Sequence, residues 1–561
     1  MKKLLATLSA MVLMLSMVGC AASETESSTS SESTSSESTS SSEESSDGEK
    51  IVSIAKEVDA ISMNSMYATD GMSFETIHNT IDGLMNVDAD GNLIAGIAES
   101  YTESEDGLVY TFTLRDAVWS NGTAVTAADF VFAWQTAITN PEAEYNYLFT
   151  AGNASVLNAD EVLAGTMDKS ELGIVAIDDY TLEVTLSQRT SYFLSLMAFP
   201  VFFPVNEEFY LAQGTDGSDY ALTPDNLISC GAYICTNWER DTKIEYVKNE
   251  DYWDADAVQV DGLIVNIIPD ASASAIAFEA GDVSFTKITS NQIDAYADSD
   301  EFTQILDGYL WYLQPNMGED AVNPAMQNQN FRIALAYATS KEELCSDVLK
   351  DGSVPGNGFV PTALATGPDG EDFRETAGDT YATDIELAQE YYAKACEELG
   401  VDNITIELMY ETADPAQTAA TYLQGMLMSN LPGLTVTMNA QSKEARIELQ
   451  KDRAFDIVLT RWGPDYADPT TYLNLMMTGN SYNYGDWSNA EYDAIMQEAS
   501  DTADLSTRWE LLLEAEAIIV EECPIIAVFQ VGGASLVEEG VTGIEVHAVG
   551  VPYVYKNINI E

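Results

Sequence analysis

Histidine is the scarcest residue in this chain, with only His78 and His547 among 561 residues. They lie far apart in the sequence, so there is no HExxH motif, and we expect no multi-histidine metal site. The sequence also has no G-x-S-x-G elbow, no P-loop and no G-x-G-x-x-G turn. A serine or cysteine nucleophile would need one of these histidines as its base, and neither stands in a recognisable motif. We therefore predict a protein that is not an enzyme and holds no metal or other cofactor, with a hydrolase kept as the alternative.

Basic residues are also few, with 23 Lys and Arg against 92 Asp and Glu and a formal net charge of −69. The first fifty residues contain eight acids and three lysines, so residues 51–561 still carry −64. A body of this charge repels nucleic acid and anionic lipid. We expect no nucleic-acid partner, and interpret the acidity as solubility or adaptation to salt.

The N-terminal fifty residues have the layout of an export signal followed by a tether. Lys2 and Lys3 precede an apolar run at residues 4–18 that ends at Gly19-Cys20, as in a secretory signal peptide. This junction resembles the lipobox of bacterial lipoproteins, which implies removal of residues 1–19 and a lipid on Cys20. An ordinary signal peptide is the alternative. Residues 23–47 contain only Ser, Thr, Glu and Asp, so residues 20–50 are predicted to be a disordered tether. No later stretch approaches eighteen consecutive apolar residues, so the lipid would be the sole membrane attachment.

Cysteine is sparse, and five remain once Cys20 is lipidated: Cys230, Cys235, Cys345, Cys396 and Cys523. An odd number leaves at least one thiol unpaired. The sequence therefore does not imply a disulfide framework.

The body from residue 51 has about 510 residues, enough for two or three domains. Alternating patterns predict strands at residues 110–114 and 181–186, and Thr126 with Asp129 predicts a helix start. Beyond residue 330, helices are predicted at 331–348, 385–399 and 416–431, with strands at 404–408, 434–438 and 455–459. This alternation predicts an α/β lobe. The last predicted strands, near 525–529 and 551–555, could return to the first lobe.

One segment has partial EF-hand spacing. Asn86, Asp88, Asp90 and Gly91 match the offsets of calcium ligands, but Ile97 stands where the closing acid should be. The Asp-Gly pair lies between apolar residues 84–85 and 93–94. We therefore predict a hairpin turn rather than a calcium site.

Six short motifs follow one another along the body. They are WSNGTAVTAADF at 119–130, AIDDYTLEVTL at 176–186, SCGAY at 229–233, NEDYW at 249–253, FRIAL at 331–335 and WGPDYADP at 462–469. In this order the set resembles the extracellular peptide-binding proteins of ABC importers, a solute-binding family that includes dipeptide, nickel and oligopeptide binders. The resemblance spans nearly all of residues 51–561.

The resemblance implies an α/β fold of the two-lobed periplasmic-binding-protein type, type II, with a hinge that lets the lobes close over ligand. Lobe one would comprise residues 51–309 and 531–561, with an extra subdomain at about 82–204. Lobe two would comprise residues 310–530. The two chain crossings are expected near residues 309–312 and 529–533.

The resemblance also implies a peptide site. Asp465 matches the family's anchor for the peptide amino terminus, and Trp462 and Gly463 would pair with the peptide backbone. Residues 69–72, including Asp70, Gly71 and Met72, match the lobe-one stretch that pairs with the peptide's other edge. Pocket tyrosines are matched at two positions, Tyr145 and Tyr312.

Other positions depart from the family pattern. Members that grip a peptide's carboxyl end can use a His and an Arg, and Pro415 and Leu459 stand at those places here. Lys443 replaces a pocket Trp. Arg461 and Lys443 are candidate substitutes for binding the carboxyl end.

We expect a monomeric, lipid-anchored receptor on the extracellular face of the cell membrane. Short peptides would be its ligands and an ABC permease its partner. The alternative cargoes within the same fold are a metal chelate, a sugar or a signalling peptide.

Overall fold

The computed structural model describes residues 49–561 apart from Asp90, Asp320, Val322, residues 413–414 and Ala503. The predicted signal peptide, Cys20 and the tether up to residue 48 lie outside the described residues. Within the described part of the chain, no helix is long and apolar enough to cross a bilayer.

The described residues form both strands and helices throughout the chain. The strands are β1 (Ile51–Lys56), β2 (Met85–Val87), β3 (Leu93–Ala95), β4 (Ala98–Glu103), β5 (Val109–Leu114), β6 (Ile174–Asp178), β7 (Thr181–Thr185), β8 (Tyr233–Glu239), β9 (Lys243–Lys248), β10 (Gly262–Ile267), β11 (Phe285–Ile288), β12 (Phe302–Pro315), β13 (Val354–Pro355), β14 (Ile404–Glu411), β15 (Leu434–Gln441), β16 (Ile457–Trp462), β17 (Ile526–Val537), β18 (Val541–Thr542), β19 (Glu545–Val546), β20 (Tyr553–Val554) and β21 (Asn559–Ile560). The α-helices are α1 (Gly71–Thr80), α2 (Ala127–Thr139), α3 (Ala159–Leu163), α4 (Phe193–Leu196), α5 (Glu207–Ala212), α6 (Ala271–Glu279), α7 (Ser290–Tyr296), α8 (Gln329–Ala338), α9 (Lys341–Glu343), α10 (Phe373–Ala377), α11 (Ile385–Leu399), α12 (Ala416–Asn430), α13 (Lys443–Lys451), α14 (Thr470–Leu473), α15 (Ala490–Asp501) and α16 (Leu505–Glu522).

Ten strands form one continuous path in the order β15-β14-β16-β12-β17-β11-β1-β10-β9-β8, and β13 also pairs with β17. Two long strands, β12 and β17, join the two halves of this sheet. Phe302 to Leu306 of β12 pair antiparallel with β17 beside β11, whereas Leu310 to Leu313 pair with β17 on one side and β16 on the other. The register breaks between Leu306 and Leu310. The chain therefore passes between the halves twice, within a few residues of this break.

The buried apolar residues divide along the same line. The largest cluster draws on residues 52–305 and 541–558, with Tyr466 as its single member from the intervening segment. Two other large clusters lie on either side of the second half of the sheet and draw on residues 310–529. Each half of the sheet thus has its own core.

The second half has the predicted alternation of strands and helices. Strand β14 pairs parallel with both β15 and β16, and α12 and α13 form the crossovers. The predicted helix at 385–399 is confirmed to the residue, because Asp384 caps its first turn and Gly400 ends it with a φ of 68°. The single helix predicted at 331–348 is wrong. Helix α8 ends at Ala338, and the short helix α9 and a π-helical turn at Leu344–Leu349 follow.

Smaller sheets lie in the first part of the chain. Strands β4, β5, β7 and β6 form a four-stranded antiparallel sheet, which includes both strands predicted there. Strands β2 and β3 pair antiparallel, with Met85 opposite Ala95, and this confirms the predicted hairpin. At the C-terminus the strand predicted at 551–555 is reduced to the two residues of β20. The five cysteines among the described residues are free thiols.

Candidate functional site

The candidate site lies where the parallel strands of the second half end. In open α/β sheets, ligands bind outside the carboxyl ends of the strands. Trp462 is the last residue of β16 and pairs with Leu310 of β12. Leu310 is the first residue of β12 within the second half of the sheet. The carboxyl edge of β14, β15 and β16 therefore faces the first half of the molecule. The segment after β16 carries Gly463, Pro464 and Asp465 into this space.

Trp462 and Gly463 are held closely by their neighbours. The Trp462 ring packs edge-on against Tyr482 at 4.8 Å between centroids, and its carbonyl accepts a hydrogen bond from the Tyr472 hydroxyl at 2.9 Å. A Cβ on Gly463 would lie 2.3 Å from the ring of Tyr309. A larger residue here would have to displace the Tyr309 ring from the backbone.

Asp465 is half-buried and has few partners. Its backbone N–H donates to Thr471 Oγ1 at 3.1 Å, and its Oδ1 accepts one long hydrogen bond, 3.5 Å, from the Tyr147 hydroxyl. No lysine or arginine among the described residues forms an ion pair with it. Burial raises the pKa of Asp465 to about 6. The site therefore contains a carboxylate whose charge is not compensated.

Tyrosines from both halves surround this carboxylate. Burial raises the pKa of Tyr145 and Tyr192 to about 12, and the charge of Asp465 adds to both shifts. The same two causes raise the pKa of Tyr147, whereas burial and then the charges of Asp307 and Asp465 raise the pKa of Tyr309. Across the cleft, the Tyr192 ring stacks on Tyr466 at 3.8 Å with an interplanar angle of 1°. These rings shield Asp465 from water on the side of the first half.

Two cavities adjoin Asp465 and Tyr466. The larger, about 440 Å³, is lined by polar and apolar groups together, among them Tyr147, Arg189, Thr190, Trp462 and Arg508. The smaller, about 170 Å³, is lined mainly by small apolar side chains and also by His78 and His547. The cleft thus offers two compartments beside one carboxylate, and the smaller of them is the more apolar.

The structure brings most of the predicted site residues together. Asp70 caps helix α1, because its carboxylate accepts from the Ser73 N–H at 2.9 Å and the Ser73 hydroxyl at 2.6 Å. Tyr145 contacts Phe74 of this helix at 5.7 Å and Tyr147 at 6.0 Å between ring centroids, and the Tyr147 hydroxyl donates to Asp465, so helix α1 and Asp465 adjoin the same pair of rings. Gly71 and Met72 begin helix α1, so this segment offers the N–H groups of a helix N-terminus rather than a strand edge.

Tyr312 is not among these residues. Its side chain is 5 % exposed and packs edge-on against Phe359 in the core of the second half. Of the positions that depart from the family pattern, Leu459 is fully buried, Pro415 precedes α12 and Lys443 begins α13.

Sequence reasoning missed the aromatic and charged residues that enclose the site, Tyr147, Tyr192, Tyr309 and Tyr466, and the ion pair between Arg508 and Asp468. Both contacts of that buried pair measure 2.8 Å. Asp468 and Tyr466 belong to the WGPDYADP motif, so the motif could have indicated them. Tyr192 lies more than 270 residues away in the sequence, where no local pattern points to the site.

The described fold agrees with that of a known family. Residues 92–484 match the model of the bacterial extracellular solute-binding proteins, family 5, and the chain belongs to this family. It is a two-lobed α/β protein with the type II periplasmic-binding fold.

Three similar proteins illustrate the relationship. The dipeptide-binding protein DppE of Bacillus subtilis is 30% identical over 547 residues, which are 96% of either chain. The structure of Listeria monocytogenes OppA bound to peptide is 32% identical, covers 91% of this chain and 99% of its own, and superposes with a TM-score of 0.67. The unliganded open form of the murein tripeptide-binding protein MppA is similar in fold, with 24% identity, coverage of 91% and 97%, and a TM-score of 0.80.

Proposed function

We propose that this protein captures short peptides between its two lobes and delivers them to the membrane permease of an ABC importer, as a monomer and without catalysis. Membership of the solute-binding family and the relatives named for peptide binding support this function. The observation that carries it is the uncompensated, half-buried carboxylate of Asp465 at the edge of the cleft.

A peptide ammonium is the group that this carboxylate lacks. Where the two lobes exclude water, an ammonium–carboxylate pair is strong, and loss of one partner leaves the other charge unpaired at a cost of several kcal/mol. The surrounding hydroxyls of Tyr145, Tyr147 and Tyr309 can accept the remaining ammonium hydrogens. We assign Asp465 as the anchor for the peptide amino terminus.

The peptide backbone needs further partners. The unpaired N–H groups of Gly71 and Met72, at the N-terminus of helix α1, would serve carbonyl oxygens of the ligand from lobe one. Gly463, with Trp462, would present backbone groups from lobe two. The two cavities beside Asp465 would take side chains, and their mixed lining favours broad rather than narrow side-chain selection.

We assign residues 51–309 and 531–561 to lobe one, with the subdomain at about 82–204, and residues 310–530 to lobe two. The division of the buried clusters and the register break in β12 support these bounds. The hinge would consist of the two passages of β12 and β17 between the halves of the sheet.

We further propose that Cys20 carries the lipid and that residues 20–50 act as a leash outside the cell. The chain would then load in the medium and dock at the membrane surface. Labelling with a radioactive fatty acid, compared between the native chain and Cys20→Ala, tests the anchor. Labelling that is unchanged in the variant would contradict it.

Calorimetric titration with trialanine tests the ammonium anchor. We expect Asp465→Ala to weaken binding at least tenfold, about 1.4 kcal/mol or more, and acetylation of the peptide amino group to weaken binding to the native protein similarly. Asp402→Ala, at an exposed position of lobe two, serves as the matched control and should bind normally. Equal affinity for free and acetylated peptide would contradict the assignment of Asp465.

Mass analysis of ligand that co-purifies with the protein identifies the cargo directly. Short peptides are the expected result. A metal chelate, a sugar or a single signalling peptide would replace the proposed cargo while leaving the receptor role intact.

A further inference from the structure

Tyr466 belongs to the lobe-two segment that carries Asp465, but its ring packs in lobe one. The residue is 6 % exposed, and it is the single member of the lobe-one cluster that comes from between residues 305 and 541. Its ring stacks on Tyr192 with 3.8 Å between centroids and an interplanar angle of 1°. One side chain of lobe two is therefore inserted into the core of lobe one, and the lobes touch directly through protein side chains.

The ring of Tyr192 is fixed within lobe one. Its hydroxyl donates a hydrogen bond to the Gly152 carbonyl at 2.8 Å. Its own carbonyl accepts the N–H of Ser195 at 3.1 Å, at the start of helix α4. Both ends of the Tyr192 residue are thus tied to lobe one, and the ring offers Tyr466 a surface of fixed orientation.

Tyr466 is fixed in the same way on lobe two. Its carbonyl accepts the N–H of Asp468 at 3.0 Å, and the Asp468 carboxylate binds Arg508 of helix α16 through two contacts of 2.8 Å. The N–H of Asp465 donates to Thr471 Oγ1 at 3.1 Å. Residues 465–471 are therefore held firmly on lobe two, and a shift of Tyr466 relative to lobe one would move Asp465 as well.

The surroundings of Asp465 depend on this contact. The Tyr147 hydroxyl of lobe one donates to Asp465 at 3.5 Å, and both cavities of the cleft are lined by Asp465 and Tyr466 together. Aromatic side chains bury a large apolar area, and ring pairs add to its stabilising effect. The stack of Tyr466 on Tyr192 therefore stabilises the arrangement in which Asp465 faces lobe one.

We propose that Tyr466 is a positioning residue for peptide binding: its stack on Tyr192 holds the two lobes partly together in the empty protein and keeps Asp465 facing lobe one. This rests on the proposed peptide-binding function. A ligand then completes the closure of a cleft that is already assembled on one side. The apparent affinity of every ligand is scaled by the fraction of protein in the competent arrangement, so the stack should strengthen the binding of all peptides by a common factor.

The alternative role for Tyr466 is direct contact with a ligand side chain. Loss of such a contact would change the preference among peptides, because its strength depends on the side chain that is contacted. Loss of a positioning residue weakens every peptide equally and leaves the preference unchanged. A series of peptides on one set of variants distinguishes the two roles.

Calorimetric titration with trialanine, Ala-Lys-Ala and Ala-Phe-Ala makes this comparison. Tyr466→Ala and Tyr192→Ala should each weaken the binding of all three peptides by one factor of at least ten, which corresponds to a competent fraction of about one in ten. The double variant should bind no more weakly than either single variant, because the same contact is lost in all three. Tyr466→Phe keeps the ring and should restore binding.

Tyr391→Ala is the matched control for these variants. It removes one ring of a stacked pair inside lobe two, where Tyr337 and Tyr391 lie 6.1 Å apart between centroids, and should bind like native protein. Losses that differ among the three peptides, or losses that multiply in the double variant, overturn the positioning role while the proposed function stands. Native protein that binds none of the three peptides overturns the proposed function itself.

Small-angle X-ray scattering of the empty proteins tests the stack without any ligand. Tyr466→Ala and Tyr192→Ala should each have a larger radius of gyration than native protein, and saturating trialanine should bring both to the value of the liganded native protein. Tyr466→Phe and Tyr391→Ala should scatter like native protein. Equal scattering of empty native protein and the two alanine variants at positions 192 and 466 overturns the proposal.

Discussion

At the scale of single residues, the cleft is organised around charges that the protein does not neutralise itself. Elsewhere in the described chain, buried charges have partners: Lys56 lies 2.7 Å from Glu75, and Arg508 binds Asp468 with two contacts. Asp465 has one long hydrogen bond. Asp465 has no such counter-charge, which keeps the site ready for a charged ligand.

The raised pKa of Asp465 predicts how binding depends on pH. Asp465 ionises at about pH 6 in the unliganded protein, and only its ionised form attracts an ammonium. Trialanine should therefore bind about tenfold more weakly at pH 5 than at pH 7, because roughly one site in ten is then ionised. Affinity should fall again above about pH 8, where the peptide amine loses its proton. Calorimetry from pH 4.5 to 9 measures both limbs.

Asp465→Asn is the matched control for this profile. It preserves the shape of the side chain and should remove the acidic limb while leaving the basic limb. If the variant kept the same loss between pH 7 and pH 5, another group would have to titrate there.

The same carboxylate should reduce the stability of the empty protein. The pKa of Asp465 is raised from 3.8 in the folded protein, so this group ionises more easily in the unfolded chain. Ionisation therefore destabilises the folded state, fully above pH 6 and progressively less as pH falls toward 4. After allowance for partial exposure, we expect Asp465→Asn to raise the free energy of unfolding by about 1 kcal/mol at pH 7.5. The gain should shrink at pH 4.5. Urea denaturation at the two pH values, without ligand, measures it, and a loss of stability at pH 7.5 would contradict the expectation.

At the scale of elements, local sequence predicted the helices and strands whose start and end residues are marked in the sequence itself. Helix α11 has both a capping aspartate and a terminal glycine, and its bounds were predicted to the residue. Strand β17 was predicted to end at residue 529 but continues to Val537. Gly532 and Gly533 interrupt the apolar pattern of this strand. Glycine stands at 532 because a side chain there would collide with the Gly352 carbonyl. That constraint comes from a segment 180 residues earlier, and local periodicity cannot reveal it.

The residues of the candidate site also fall into two groups, those that local sequence indicates and those that only tertiary packing brings together. Asp465, Trp462 and Gly463 could be proposed from sequence because they belong to one contiguous motif. The tyrosines of lobe one were missed, apart from Tyr145, because tertiary packing alone brings them to the carboxylate. Tyr312 has the right residue type, but the alternation of β12 directs its side chain into the core.

Helices α10 and α16 are joined by a buried ion pair that predicts a large loss of stability on mutation. Glu516 accepts from Arg374 at 2.8 and 2.5 Å and from the N–H groups of Phe359 and Val360. Glu516→Gln leaves the Arg374 guanidinium buried without its counter-charge and should cost about 3–5 kcal/mol. Urea denaturation measures the loss.

The exposed pair of Lys394 and Glu390 on α11 provides the control for this prediction. Glu390→Gln removes an equal charge at an i,i+4 pair and should cost less than about 0.5 kcal/mol. Similar losses in the two variants would mean that the burial of the Arg374–Glu516 pair has no energetic effect.

At the scale of the whole molecule, two strands carry the connection between the lobes. Strands β12 and β17 each run once from one half of the sheet to the other, and their pairing register breaks at this crossing. Small changes in backbone conformation at the break can therefore move one lobe relative to the other. A ligand that contacts both lobes should hold them together, so we expect the liganded protein to be more compact than the empty one.

Small-angle X-ray scattering tests this closure. A folded body of this size has a radius of gyration of roughly 24 Å. Saturating trialanine should decrease the measured value, because in the proposed binding mode its ammonium would contact Asp465 and its backbone would contact lobe one. Acetylated trialanine at the same concentration should leave the scattering unchanged, as should trialanine added to Asp465→Ala. If calorimetry reported binding and the scattering stayed the same, the peptide would occupy lobe two without closing the cleft, and delivery to a permease could not depend on lobe closure.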